Sequence, residues 1–65
     1  MIILAVVVNL KPESREPGLA AMKTMEAATR EEAGCLDYTF YADMNDPNRF
    51  FLFEKWESQR HLDAH

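Results

Sequence analysis

Residues Ile2–Leu10 read IILAVVVNL, a β-branched run that forms a strand with two apolar faces. One face carries Ile2, Leu4, Val6, Val8 and Leu10, and the other carries Ile3, Ala5, Val7 and Asn9. A strand with one wet face alternates apolar and polar residues, so this one demands cover on both sides. A single layer of helices supplies one cover and leaves the other to be found. The chain has 65 residues, which makes one small domain. A domain of that size buries only about 60% of the surface its unfolded chain exposes. Small chains make up the shortfall with disulfides, a metal or a second chain.

Composition argues against two of these. Cys35 is the single cysteine, so no internal disulfide framework exists, and its presence alone fits a reducing cytosol. A Cys/His zinc site lacks its four ligands at the usual spacing, so no metal is expected. Oligomerisation is left, and the sequence points to a homodimer joined through its sheet faces.

The net charge is −4, with seven Lys and Arg scattered among eleven Asp and Glu. Nucleic acid is therefore not an expected partner, because phosphate binding needs clustered basic residues. No basic amphipathic face is present for a membrane surface. The apolar run Ile2–Val8 is too short to span a bilayer and has neither a positive leader nor a small-residue cleavage site. These features point to the cytoplasm.

Further along, KPESREPG (Lys11–Gly18) is a polar turn, and Pro17 suits the first turn of a helix. LAAMKTMEAATREEA follows with strong helix formers, placing Leu19, Met22, Met25 and Ala28 near one face. The methionines read as core gap-fillers, or else as an adaptable wall for a bulky apolar ligand. Gly34 supplies the stop, since it tolerates the left-handed conformation. Cys35–Met44 alternates as a second strand, with Leu36, Tyr38, Phe40 and Ala42 on one face and Cys35, Asp37, Thr39, Tyr41 and Asp43 on the other. NDPN is turn chemistry. Arg49–Trp56 forms a third strand and a hairpin with the second, and Ser58 caps a helix starting near Gln59.

The order β-α-β-β-α predicts an α+β fold of the ferredoxin-like βαββα(β) kind, whose closing strand would follow the second helix. That helix has only about seven residues before the chain stops, too few to stand on helix formation alone. The expectation is one domain over residues 1–65, incomplete at its C-terminal end.

EEAGCLDYTFY (Glu31–Tyr41) and DPNRFFLFEKWESQRHLDAH (Asp46–His65) resemble the antibiotic biosynthesis monooxygenase domain family. Its members read Glu-x-Gly-Cys, a Tyr three residues on, a strand ending Glu-x-Trp, and a helix with an early histidine. Here Glu32, Gly34, Cys35, Leu36, Tyr38, Pro47, Glu54, Trp56, Leu62 and His65 fall at those places. The first strand and helix match in pattern only. The resemblance is to small quinol monooxygenases and haem-degrading monooxygenases, which fold as dimeric α+β barrels. It implies a partner sheet against the second face of Ile2–Leu10, as the apolar pattern already required. The family usually continues past His65 with a second histidine and a closing strand.

Individual residues carry two readings each. Glu54 shares a strand side with Phe50, Leu52 and Trp56. It either reaches a buried donor or is a pocket carboxylate that accepts a phenol proton. Trp56 is a large packing residue or a flat wall on which an aromatic substrate stacks. Tyr38 is a strand aromatic or a hydrogen-bond donor to ligand. His61 and His65 stand at i, i+4, a spacing that suits two metal ligands but lacks a third. As a base near neutrality, His65 has the better claim, since the resemblance places it near the cavity. Asn9 ends its strand or contacts substrate, and Cys35 is most simply a small buried residue.

Two functions follow. The first, which the resemblance implies, is a monooxygenase acting with O2 and no cofactor on a small aromatic such as a quinol or polyphenol. Its catalytic residues would be His65, Trp56 and Glu54, with Tyr38, Asn9 and His61 binding substrate. The second is a non-catalytic dimeric module of the same fold that binds a ligand or assembles.

Overall fold

A computed structural model describes the whole chain, Met1–His65. The elements are β1 (Ile2–Asn9), a 3₁₀ turn (Pro12–Ser14), α1 (Arg15–Arg30), β2 (Cys35–Ala42), β3 (Arg49–Trp56) and α2 (Gln59–Ala64). The sheet order is β1-β3-β2, with both neighbours antiparallel to β3. β1 and β2 therefore run parallel, joined through α1, with β3 inserted between them. This is the α+β, ferredoxin-like arrangement that the element order implied.

The central strand shows the alternation most clearly. Phe50, Leu52, Glu54 and Trp56 are buried on the helix-facing side, whereas Arg49, Phe51, Phe53 and Lys55 point to the other. In register, Ile2 pairs with Trp56, Leu4 with Glu54 and Tyr38 with Glu54, so these side chains share the covered face. Tyr38, Leu52 and Trp56 form the core cluster, with Ile2, Cys35, Phe40 and Leu62 packed against it.

Three local expectations shift. α1 starts at Arg15, ahead of Pro17, because the first turn has no use for the N–H that proline lacks. Its inner stripe is also rotated from Leu19, Met22, Met25 and Ala28. Met22 and Thr29 are buried, while Met25 is 45% exposed. The cause lies at the edge of β2. Glu26 Oε2 accepts from the Phe40 N–H at 2.7 Å, and Arg30 Nε donates to the Tyr38 carbonyl at 3.0 Å. The helix thus turns a polar pair toward the open hydrogen-bonding row of an edge strand and closes it.

The second shift is in β2, which ends at Ala42 and not at Met44. The Asp43 carboxylate accepts from the backbone N–H groups of Asn45 and Asp46 at 2.7 and 3.1 Å, and so bends the chain into its turn. The third is a bulge between Cys35 and Asp37. With Leu36 as the extra residue, Cys35 moves onto the face of Tyr38, opposite Trp56, and Leu36 is left 50% exposed. Simple alternation had put Cys35 and Tyr38 on opposite faces.

The other sheet face is open. Ile3, Val7 and Tyr41 are each about half exposed, and Phe51 lies among them. Only seven of 65 residues are buried, so the second cover demanded by β1 is not supplied within one chain.

Gly34 has φ +79°, in the left-handed region, in the turn that leads from α1 into β2. The helix itself has already ended at Arg30. A Cβ at Gly34 would overlap the His61 ring and Cβ, so the position is closed to a side chain twice over. Gly34→Ala is expected to lose about 1–2 kcal/mol from the backbone alone, and more because His61 must move. Urea unfolding measures it, and an unchanged midpoint would contradict this account.

Candidate functional site

Three elements converge at the Trp56 end of the sheet. β3 delivers Glu54 and Trp56 to the covered face, and the bulge in β2 brings Cys35 beside Tyr38 on that same face. Ser58 then caps α2, its Oγ accepting from the His61 N–H at 3.3 Å, as its position after the strand suggested. The short helix folds back over the corner and brings His65 onto it.

Trp56 is fully buried, and its Nε1–H donates to Glu54 Oε1 at 3.1 Å. A buried carboxylate without a donor is costly, and this bond meets part of its need. Of the two readings of Glu54, the one in which it reaches a buried donor describes its geometry. The Tyr38 hydroxyl donates to Met25 Sδ at 3.1 Å. Burial pushes the Tyr38 phenol above its ordinary range, and the Glu54 carboxylate adds to the shift. Burial also pushes the Cys35 thiol up, with the charges of Glu32, Asp37 and Glu54 acting in the same direction. Cys35 is therefore held as a thiol, in keeping with a packing role.

His65 lies against this group. Its ring centroid is 5.0 Å from that of Trp56 and 5.7 Å from that of Tyr38. Its Nδ1 stands 2.9 Å from both carboxylate oxygens of Glu32. The side chain remains 29% exposed, so it is the member of the group that solvent and solutes reach.

The structure brings together Tyr38, Glu54, Trp56 and His65, and leaves two of the sequence candidates apart. Asn9 pairs with Arg49 at the far end of β3 and lies on the open face, seven register positions from the Ile2–Trp56 pair. At ~3.3 Å per residue that separation is roughly 23 Å. His61 is occupied otherwise: Nδ1 lies 2.7 Å from Ser58 Oγ, and its ring covers Gly34. The two histidines therefore have different partners despite their i, i+4 spacing. No group of three or more His, Cys, Asp or Glu side chains is placed to hold a metal ion.

One further expectation is corrected. The four gathered residues pack on one another and do not line an open cavity, and a wholly buried Trp56 offers no free face for stacking. The cleft on this side of the sheet, about 160 Å³, lies nearer the Phe50 end. α1 lines it with Leu19, Met22, Lys23 and Glu26, and the sheet with Phe40, Ala42 and Phe50. Phe40 separates the two regions, standing edge-on to Tyr38 at 5.9 Å between centroids. Met22 thus meets the description of a pocket wall, and Met25 is instead the acceptor for Tyr38. Glu32 was not picked out as a site residue from its sequence surroundings, although it lies in the Glu-x-Gly-Cys stretch.

A family model described as antibiotic biosynthesis monooxygenase matches residues 1–65. The Synechocystis protein sll1783, described as uncharacterized, is 36% identical over 64 residues, which cover 98% of this chain and 44% of that protein. A Bacillus subtilis protein named "Putative monooxygenase YcnE" is 29% identical over 65 residues, all of this chain and 68% of that one. A crystal structure of an antibiotic biosynthesis monooxygenase superposes with a TM-score of 0.94 at 31% identity, over 100% of this chain and 68% of that chain. The chain thus spans less than half of the Synechocystis relative and about two thirds of the other two proteins.

The Glu54–Trp56 bond has a measurable consequence. Glu54→Ala strands a buried indole N–H and is expected to cost about 1–3 kcal/mol, while Glu54→Gln keeps an acceptor in place and is expected to cost less. Chemical denaturation of both variants tests this, and equal losses would show that the bond contributes nothing.

Proposed function

The chain belongs to the antibiotic biosynthesis monooxygenase family, and we propose that it oxidises a small quinol or polyphenol with O2, using neither metal nor organic cofactor. The observation that carries this reading is the gathering of Tyr38, Glu54, Trp56 and His65 at one corner, with only His65 open to solutes. The base is His65, the one imidazole of the group and the one member that solutes reach. It takes the phenolic proton of a substrate that approaches its exposed side. Behind it, the buried Trp56–Glu54 pair and Tyr38 form a fixed wall that holds the imidazole in place.

The chemistry then belongs to the reduced substrate. As an anion it is a stronger reductant and passes one electron to O2, giving superoxide and a substrate radical. The two combine to form a C–O bond, as a hydroperoxide at a ring carbon that still carries a hydrogen. Loss of water leaves a carbonyl, with one oxygen atom in the product and the other in the water. The ring carbon gives up its one hydrogen and the phenolic hydroxyl gives the other, which His65 returns to the peroxide. The water is thus accounted for, and no outside reductant is needed. Asn9 and His61 take no part in this reading.

The dimer belongs to the same proposal. The exposed face of Ile3, Val7, Phe51 and Tyr41 has the apolar character of a sheet that meets a second sheet. Two such faces are expected to bury well over about 1,000 Å² in total. Light scattering at micromolar concentration should give twice the chain mass, and Phe51→Glu should shift it to the monomer. A stable wild-type monomer would remove the dimer from the proposal.

A second reading, a non-catalytic ligand-binding or assembly module, draws on one observation. Glu54 and Trp56 satisfy each other, as they would at a purely structural corner. Oxygen uptake separates the two. With reduced naphthoquinols in metal-free buffer, the full-length dimer should consume O2 above a no-enzyme autoxidation control. His65→Ala should lower kcat by about 10²–10⁴-fold with little change in KM. Trp56→Ala is instead expected to cost about 3–5 kcal/mol of stability. No uptake above the control would favour the binding module.

A further inference from the structure

We propose that Glu32 is a positioning residue that fixes His65 as its Nδ1–H tautomer and leaves Nε2 as the proton acceptor, an inference that rests on the reading of His65 as the base. A carboxylate is an acceptor only, and a neutral imidazole has one donor and one acceptor nitrogen. The nitrogen that faces Glu32 must therefore carry the hydrogen. His65 Nδ1 stands 2.9 Å from each Glu32 oxygen, which leaves that nitrogen no other role. The lone pair is then on Nε2. In water a neutral histidine prefers the opposite tautomer, with the hydrogen on Nε2, so the carboxylate reverses the intrinsic preference.

The placement of Glu32 is not incidental to the fold. It lies in the turn between α1 and β2, where its backbone carbonyl accepts from the Cys35 N–H at 3.2 Å and its own N–H donates to the Thr29 carbonyl at 3.0 Å. Two backbone bonds thus anchor the residue whose side chain reaches across 33 positions of sequence. On its other flanks the imidazole has Trp56 and Tyr38. Ring plane and tautomer are set by different neighbours, the aromatic pair and the carboxylate. The same arrangement places a negative charge opposite the one that the ring acquires when Nε2 takes a proton, the logic by which a buried carboxylate supports a catalytic histidine elsewhere.

The alternative is that Glu32 merely ties α2 to the α1–β2 turn. A structural tie and a positioning residue differ in what they do to the imidazole itself. Long-range ¹H–¹⁵N spectra of the full-length protein, recorded at mildly alkaline pH, report which ring nitrogen carries the hydrogen. Wild-type His65 should show the Nδ1–H form. Glu32→Ala should convert it to the Nε2–H form, and Glu32→Gln, whose side-chain carbonyl still accepts, should retain Nδ1–H with the fold undisturbed. In oxygen-uptake assays Glu32→Ala should lower kcat by at least about tenfold at little cost in KM, and add nothing in a His65→Ala background. An Nε2–H imidazole in the wild type, or a tautomer indifferent to Glu32→Ala, would overturn the assignment. The spectra judge it without reference to turnover: a tautomer switch together with no wild-type uptake would uphold the positioning role and fail the oxygenase reading alone.

Discussion

β3 is hydrogen-bonded on both of its edges, and the remaining structure is arranged by that fact. A strand paired twice has its register fixed twice, so the four side chains on its covered face cannot slip to the other. Glu54 is one of those four, which makes its burial a result of alternation and not a choice of location. The carboxylate then needs a donor on the same face. The indole two residues on supplies it, because residues i and i+2 of a strand point the same way. Register comes first, the buried acid second, and the pair that backs His65 third.

Much of this was open to reading along the chain. The alternation of Arg49–Trp56, the Ser58 cap and the left-handed backbone of Gly34 are local patterns, and each is present in the structure. Gly34 nevertheless lies in the turn after α1 and does not end the helix, which stops at Arg30. What escaped is non-local. The bulge at Leu36 has no turn residue to announce it, yet it decides which face receives Cys35. The stripe of α1 follows the needs of β2's edge and not hydrophobicity alone, so Thr29 is buried where Ala28 was expected. The Glu32–His65 contact joins residues 33 apart, beyond any helical or strand period. Asn9 shows the same limit from the other side. Its face on β1 was legible, but whether that face is Trp56's depends on a pairing that only the folded sheet displays.

The two faces of the sheet are unequal in a way that bears on function. One is occupied by α1, the core cluster and the acid-rich corner around His65; the other is an apolar surface without charged side chains at its centre. On the proposed reading, chemistry and association have separate surfaces. A change such as Phe51→Glu acts on the second without touching the first, whereas Trp56 belongs wholly to the first.

The closure of β2's edge by Glu26 and Arg30 has a consequence of another kind. The cap is made by side chains of one helix, so it exists only while α1 is docked. A chain in which α1 has come away presents CLDYTFYA with its outer row of N–H and C=O groups bare. That stretch holds three aromatics and a single charge, and it contains no proline. Such segments are the ones that template pairing between molecules, stacking strand on strand into fibrils. α1 thus guards the protein against aggregation as well as filling its core, and partial unfolding at that helix is the route by which this chain would be lost to solution.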